Sequence, residues 1–251
     1  MNRKLVTVIM AAGKGKRMKN PDKSKVMYEF KGKPMIEHVT ELAMKINSEN
    51  ILPIVGHMKQ SVIEHLGNRF PESNDKIKYA HQDEQLGTGH AVMQTEELLK
   101  DFDGDVLILS GDVPMLSFET VNSFLNFHRE NKFDASLISA VFEDPTGYGR
   151  VLRDPEGNFI DIREEKDCNE EERKCKEINS GIYLIDNKIL FEALKTLKTE
   201  NAQGEYYLTD IFKYFKSIGK KIGAFPVKNT AEISGINTVE QLEELERIFD
   251  L

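Results

Sequence analysis

The run Ala11-Ala-Gly-Lys-Gly-Lys-Arg17 follows the apolar stretch Leu5–Met10 and sets two glycines among three cations. A Gly-rich loop at the carboxyl end of a first parallel strand brings backbone N–H groups close to phosphate oxygens. Gly13 and Gly15 permit that approach, while Lys14, Lys16 and Arg17 supply charge, with Lys25 eight residues on. Met18 stands where a dinucleotide fingerprint needs its third glycine, and the spacing is not that of a Walker A loop. Four cations suit a triphosphate better than a dinucleotide. A solvated basic turn is the alternative that the loop alone leaves open.

Asp112 is the second candidate, at the tip of the apolar run Val106–Leu109 within Ser110-Gly-Asp-Val-Pro114. A carboxylate at a strand end of an open α/β sheet is a usual place for a metal ligand, and Mg²⁺ needs only one or two protein ligands. A turn or helix cap is the plainer reading. Gln82-Asp-Glu-Gln-Leu-Gly-Thr-Gly-His90 is the third, with Gln82 and Gln85 able to pair with a base edge and Gly87-Thr88 able to admit a ring. It also reads as a loop with a helix cap at Thr88. In the second half, Asp144–Arg150, Glu164, Glu177–Gly181 and Gln203–Asp210 are polar stretches, mostly Gly-bearing, between apolar elements, and a sugar site could be built from them.

Other chemistries find little support. The six histidines form no HExxH and no pair at helical spacing, and there is no Gly-x-Ser-x-Gly elbow. Cys168 and Cys175 lie seven apart in a charged stretch that fits neither a zinc knuckle nor a redox pair. They read as plain thiols. Phosphate chemistry by positioning and a metal fits best.

The elements that must hold these residues alternate between short β-branched strands and amphipathic helices, which argues for a parallel sheet covered by helices. Strands are expected at 5–10, 51–55, 77–80, 106–109, 135–142, 149–153, 159–163, 178–185 and 222–227. A helix follows Pro34 with Ile36, Val39, Leu42, Ala43 and Ile46 at helical spacing, Pro34 serving as a first-turn proline. Others are expected around 62–66, over 89–100, from an N-cap at Ser117 to about Glu130, and near 189–197 and 207–217. A last one carries Leu242, Leu245, Ile248 and Phe249 behind a capping box of Thr238 and Gln241. Residues 168–176 form a polar flap. The simplest architecture is one mixed α/β domain over 1–251 with an inserted β-rich lobe.

The 251 residues are 39% hydrophobic and 30% charged, the balance of a globular chain, and a single doubly wound domain of this size is ordinary. Thirty-four basic against 42 acidic residues leave a net charge of −8, so nothing favours a nucleic-acid backbone as partner. The longest apolar run, Val8–Ala12, is five residues, far short of a membrane span, and the N-terminus has no secretory pattern. A cytoplasmic protein is expected.

Taken in order, the motifs resemble the sugar nucleotidyltransferases, and closely the N-acetylglucosamine-1-phosphate uridylyltransferase domain of the bifunctional GlmU proteins. The resemblance rests on Ala11-Ala-Gly-Lys-Gly-x-Arg-Met18, Lys25-Val26, Glu84-Gln-Leu-Gly-Thr-Gly-His-Ala91 and Gly111-Asp-Val-Pro114. It continues through Asp144-Pro-Thr-Gly-Tyr-Gly-Arg150, Glu177-Ile-Asn-x-Gly181, Asn201-Ala-Gln-Gly-Glu-Tyr-Tyr207 and Gly235-x-Asn237. It implies a Rossmann-like, glycosyltransferase-A-like α/β fold, with a mixed, mostly parallel sheet and a smaller sugar-binding β lobe. Met10, Ala11, Ala12 and Gly13 would line the nucleotide site, Gln82, Gly87 and Thr88 would read uracil, and Lys14, Arg17 and Lys25 would act on the phosphates. Gly111, Gly149, Glu164, Asn179, Tyr207 and Thr209 would form the sugar side. Asp112 and Asn237 would hold Mg²⁺.

The resemblance implies Mg²⁺-dependent uridylyl transfer from UTP to N-acetylglucosamine 1-phosphate, giving UDP-N-acetylglucosamine and pyrophosphate; the alternatives are uridylyl or thymidylyl transfer to another sugar 1-phosphate and a catalytically silent sugar-nucleotide sensor. Four positions depart from the family: Met10 for its usual Leu, Ser24 for Pro, Tyr28 for His and Ser110 for Tyr. The β-helix of hexapeptide repeats found in the bifunctional relatives does not follow within these 251 residues. Acetyl transfer is therefore not expected, and a monomer is.

Overall fold

Leu5–Ala11 (β1) is buried along almost its whole length on both faces, the pattern of a central parallel strand. A two-stranded hairpin of Glu29–Phe30 (β2) and Lys33–Pro34 (β3) leads into helix Met35–Lys45 (α1). Pro34 thus ends a strand and stands just ahead of the helix, not inside its first turn. Ile51–Val55 (β4) and Asp105–Ser110 (β6) flank β1 in parallel, and Ala80–His81 (β5) extends that edge. Beyond β6 the sheet becomes mixed. Glu177–Asp186 (β10) runs antiparallel to β6 and to Ala135–Val141 (β7), and Ile222–Pro226 (β11) returns parallel to β7. Arg150–Arg153 (β8) and Phe159–Arg163 (β9) form an antiparallel pair that leaves the main path through β10. The structure, a computed structural model, describes residues 3–18, 20 and 22–249; the side chains of Lys16 and Phe249, both named above, lie outside the described residues.

Two faces of this sheet carry two cores, because successive strand residues point to opposite sides. Val6, Val8, Val106 and Ile108 face one core, with Phe212 and Phe215 of Ile211–Ser217 (α7) and Leu190 of Asn187–Leu194 (α6). Leu5, Ile9, Leu107 and Leu109 face the other. That side is closed by α1, by Val62 and Leu66 of Lys59–Arg69 (α2) and by Phe124 of Phe118–Glu130 (α5). Ser117 caps α5 as its position suggests, accepting from the Thr120 N–H at 3.1 Å. A third, smaller core of Phe30, Met35, Met115, Ile236, Leu242 and Leu245 docks the final helix, Val239–Phe249 (α8), against the β2–β3 hairpin.

Several boundaries differ from expectation for local reasons. The helix expected over 89–100 is two pieces, Thr88–Met93 (α3) and Glu96–Leu99 (α4). Thr95 breaks it, its buried hydroxyl donating back to the Val92 carbonyl at 2.7 Å. The strand expected at 77–80 is paired only through an isolated bridge at Ile77 before β5 begins. The helix expected over 207–217 opens with a tight turn at Leu208–Asp210. The flap at 168–176 holds a second such turn, Glu172–Lys174.

The cap at α8 is also altered. Gln241 accepts from the N–H of Asn237 at 2.8 Å instead of completing the box on Thr238, whose hydroxyl accepts from Gln241 N–H at 3.2 Å. The cap therefore orients Asn237, which the local pattern could not reveal.

His128 on α5 is buried against the Ser136 hydroxyl of β7 at 2.9 Å. Burial, reinforced by the guanidinium groups of Arg3 and Arg129 and opposed by Asp134 and Asp186, lowers its pKa to about 4. The folded pKa lies below the unfolded value, so this contribution to stability is complete above pH 6.5 and is lost as pH falls towards 4. Between pH 6.5 and 5 the loss is about 2 kcal/mol, or roughly 4–8 °C in Tm for a chain of this size. His128→Gln should flatten that part of the Tm–pH curve; parallel curves for the two proteins would contradict this account.

Candidate active site

The carboxyl ends of β1 and β6 meet at one edge of the sheet, where open α/β folds place their ligands. A cleft of about 510 Å³ opens there, lined by Met10–Lys14, Lys25, Gln82, Gly87, Thr88 and Asp112. A second cavity of about 200 Å³ adjoins it, lined by Tyr148, Gly149, Glu164, Asn179, Gly181 and Thr209. Met10, Thr88 and Ser110 line both, so the two are compartments of one cleft. Two of the departures noted in the sequence, Met10 and Ser110, thus stand at the partition.

The larger compartment is shaped by backbone. Gly15 passes so close to Lys25 that a Cβ on it would lie 2.7 Å from the lysine Cβ, and its φ of +58° suits glycine. At Gly87, φ is +116° and a Cβ would stand 2.6 Å from the Tyr206 carbonyl oxygen. Tyr206 also accepts from the Gly89 N–H at 2.7 Å and donates its own N–H to the Leu86 carbonyl at 2.9 Å. The 201–207 run therefore clamps the loop that carries Gln85–Thr88, and Glu205 lines the larger compartment. The sequence sets Gln203–Asp210 among the stretches from which a sugar site could be built; the Tyr206 backbone packs on the 86–89 loop beside the larger compartment, while Thr209 lines the smaller one. Nothing local could reveal this, since the partners are more than a hundred residues apart.

Gln82 is buried, its side-chain N–H groups donating to the Gly87 carbonyl at 3.1 Å and approaching His90 Nδ1 at 3.2 Å. Thr88 accepts from the Leu208 N–H at 3.0 Å. Gly87→Ala should destabilise the fold by roughly 1–3 kcal/mol, because alanine is strained at this φ and its Cβ would meet the Tyr206 carbonyl. An unchanged melting temperature would show that the loop can yield at this contact.

The smaller compartment exists because β10 bends. Its pairing with β7 shifts between Asn179 and Tyr183, turning Asn179, Ser180 and Gly181 towards the cavity. Asn179 Nδ2 donates to the Tyr183 hydroxyl at 2.7 Å, and its oxygen accepts from Gly181 N–H at 3.3 Å. Glu164 accepts from the Thr209 hydroxyl at 2.9 Å, and burial pushes its pKa upwards despite that donor. Gly149 stands opposite, where a Cβ would lie 3.5 Å from the Glu164 carboxylate.

Two residues expected on the sugar side lie apart from it. Tyr207 is buried behind Glu164 and Thr209, lining a separate cavity of about 90 Å³, and burial pushes its pKa up to about 12. Gly111 packs against the Met10 carbonyl and Val26, where it lets the ends of β1 and β6 approach.

Charge gathers at the mouth. Lys25 donates to Asp112 Oδ2 and, at 2.8 Å, to Asn237 Oδ1, which also accepts from Arg17 at 2.8 Å. The Ile236 N–H binds the Asp112 carbonyl at 2.9 Å, so the third core brings Asn237 to Asp112 across 125 residues of chain. Lys14 is exposed at the rim of the larger compartment. The carboxylate and amide oxygens converge on a point where a cation, the Lys25 ammonium, already stands. Among the described residues no group of three or more His, Cys, Asp and Glu could hold a metal. The donors therefore suit a hard cation that takes few protein oxygens and completes its shell with phosphate and water.

A Gly-rich loop, a strand-end carboxylate and a two-compartment cleft at one sheet edge have counterparts among known proteins. The family model described as nucleotidyl transferase matches residues 6–231. The chain belongs to that family. It is 46% identical over 245 residues to the bifunctional protein GlmU of Caldanaerobacter subterraneus subsp. tengcongensis, covering 98% of this chain and 51% of that one. The GlmU of Acetivibrio thermocellus is equally similar, with the same coverage. The chain thus spans about half the length of these curated relatives. A solved UDP-glucose pyrophosphorylase with bound UDP-glucose shares the fold at a TM-score of 0.78 and 19% identity, covering 100% of this chain and 99% of that one. The nucleotidyltransferase fold and the α/β class expected from sequence are therefore established. Among the described residues no helix is long and apolar enough to cross a membrane.

Proposed function

We propose that residues 1–251 act as one nucleotidyltransferase domain that transfers the uridylyl group of UTP to N-acetylglucosamine 1-phosphate, releasing pyrophosphate. The observation that carries this reading is the cleft, whose two compartments meet at Met10, Thr88 and Ser110 beside the Lys25–Asp112–Asn237 cluster. One compartment suits a nucleotide, with Met10, Ala11, Ala12, Gly13, Gln82, Gly87 and Thr88 around it. The other suits an acetamido sugar, offering Asn179, Glu164 and Thr209 as polar partners and Gly149 as an open wall. The similarity to GlmU favours uridine and N-acetylglucosamine over other pairs.

A phosphate oxygen of the sugar phosphate attacks the α-phosphorus of UTP in line. The new P–O bond forms as the bond to the β-phosphate oxygen breaks, and its electron pair leaves with pyrophosphate. The nucleophile is already ionised near neutral pH, so no general base is needed. What the protein supplies is alignment and neutralisation of crowded negative charge. Lys14 and Arg17 receive the triphosphate, while Lys25 stands between the reacting phosphates and the Asp112–Asn237 pair. Asp112 and Asn237 would hold Mg²⁺, which when bound neutralises phosphate charge and acts as a Lewis acid.

The test is pyrophosphate release by the purified protein with UTP, Mg²⁺ and N-acetylglucosamine 1-phosphate, beside glucose 1-phosphate and dTTP. Rapid release with the first pair alone is expected. Release with a different pair would keep the reaction class and refute the substrate. Silence with every pair, in a protein that binds UDP-N-acetylglucosamine, would make it a sensor.

A further inference from the structure

Arg150 is 2% exposed, the most deeply buried cation among the described residues, and it touches neither compartment of the cleft. A buried guanidinium is costly unless its partners hold it well, so its surroundings show what it does. It donates to the Tyr148 carbonyl and pairs with Glu165 at 2.6 Å. Tyr148 belongs to the Gly147–Gly149 segment that lines one wall of the sugar compartment. Glu165 follows Glu164, which lines the facing wall and accepts from Thr209. Its other carboxylate oxygen meets Arg173 from the flap at 3.3 Å, so the flap is tied to the same point. One planar side chain thus connects both walls from behind.

We infer that Arg150 is a positioning residue for the sugar compartment, fixing the separation between the Gly147–Gly149 wall and Glu164. The inference rests on the sugar-binding reading above. Only a forked, rigid donor set can serve a backbone carbonyl and a carboxylate together. A lysine at this place keeps the charge and can hold one partner well, leaving the other wall loose. A displacement of such a wall by even 1 Å weakens the contacts made to a bound sugar by roughly tenfold or more. The larger compartment is lined by the ends of β1 and β6 and by the 82–88 loop, and neither Arg150 nor Glu165 lines it.

The experiment compares wild type, Arg150→Lys and Glu165→Gln by calorimetry with UDP and with UDP-N-acetylglucosamine, beside thermal melting and steady-state kinetics. In both variants the affinity advantage of the sugar nucleotide over UDP should fall about tenfold while UDP affinity stays within about twofold. The KM for the sugar 1-phosphate should rise with little change in that for UTP. Equal loss for UDP and UDP-N-acetylglucosamine, or a lower melting temperature with the affinity ratio intact, would overturn the inference. Glu165→Gln guards against a fold defect peculiar to the Arg150 variant, because it loosens the same tie without emptying the buried site. If wild type binds the sugar nucleotide better than UDP yet releases no pyrophosphate, the proposed reaction fails while the binding ratio still decides the role of Arg150.

Discussion

Asp112→Asn is expected to lower pyrophosphate release by roughly 10²–10³, equivalent to about 3–4 kcal/mol of transition-state stabilisation. The substitution keeps the size of the side chain and removes its charge. The backbone of Asp112 stays anchored through its carbonyl to Ile236 N–H, so the end of β6 has no reason to move. What disappears is the carboxylate facing Lys25 and Asn237 at the point where charge gathers during transfer. Melting temperature should change little, since the side chain is still 22% exposed and belongs to no core. Turnover within a few-fold of wild type, at saturating Mg²⁺, would refute Asp112 as a metal ligand.

Lys25→Met should lower turnover by a comparable factor and, unlike the Asp112 change, tighten metal binding by the nucleotide-free protein. The reason lies in the cluster itself. The Lys25 ammonium satisfies Asp112 and Asn237 together, so any cation reaching those oxygens must displace it. Removing it abolishes two charge-assisted hydrogen bonds, each worth on the order of 1.5–3 kcal/mol, that compete with the incoming ion. A gain of about tenfold in Mn²⁺ affinity, read by calorimetry without nucleotide, corresponds to about 1.4 kcal/mol and is well within that range. Methionine preserves most of the apolar stem, which limits collapse of the loop. Unchanged or weaker Mn²⁺ affinity would separate Lys25 from the metal position, and unchanged turnover would remove it from catalysis.

Much of the sheet is legible in the sequence. β1, β4 and β6 are short apolar runs bounded by polar turns, and such runs have few alternatives to a buried parallel strand. The Ser117 cap could also be read, because its partner lies three residues away. Where expectation failed, the deciding contact was local in some places and set by distant packing in others. Thr95 interrupts the helix expected over 89–100, and Gln241 turns its amide oxygen to Asn237 because α8 must dock on the third core. The bend in β10 that opens the smaller compartment is a pairing shift with β7.

The candidate site divides in the same way. Residue types and local spacing picked out the Gly-rich loop, Asp112 and the 82–90 loop, because phosphate and base contacts need glycine, cations and amides close together in the chain. The motif resemblance added Asn237, Glu164 and Asn179, which no spacing argument could have joined to them. The resemblance already paired Asp112 with Asn237; only the tertiary structure set the Lys25 ammonium between them, placed Tyr206 against the 86–89 loop, and put Tyr207 in a separate buried cavity. It alone exposed Arg150 as a tie between two walls, since a buried guanidinium and a surface one are written identically in a sequence. The physical cause is common to all these cases. Local chemistry follows from residues that are neighbours along the chain, whereas the distances between walls, ligands and clamps follow from how the cores pack, and that is settled only when distant segments meet.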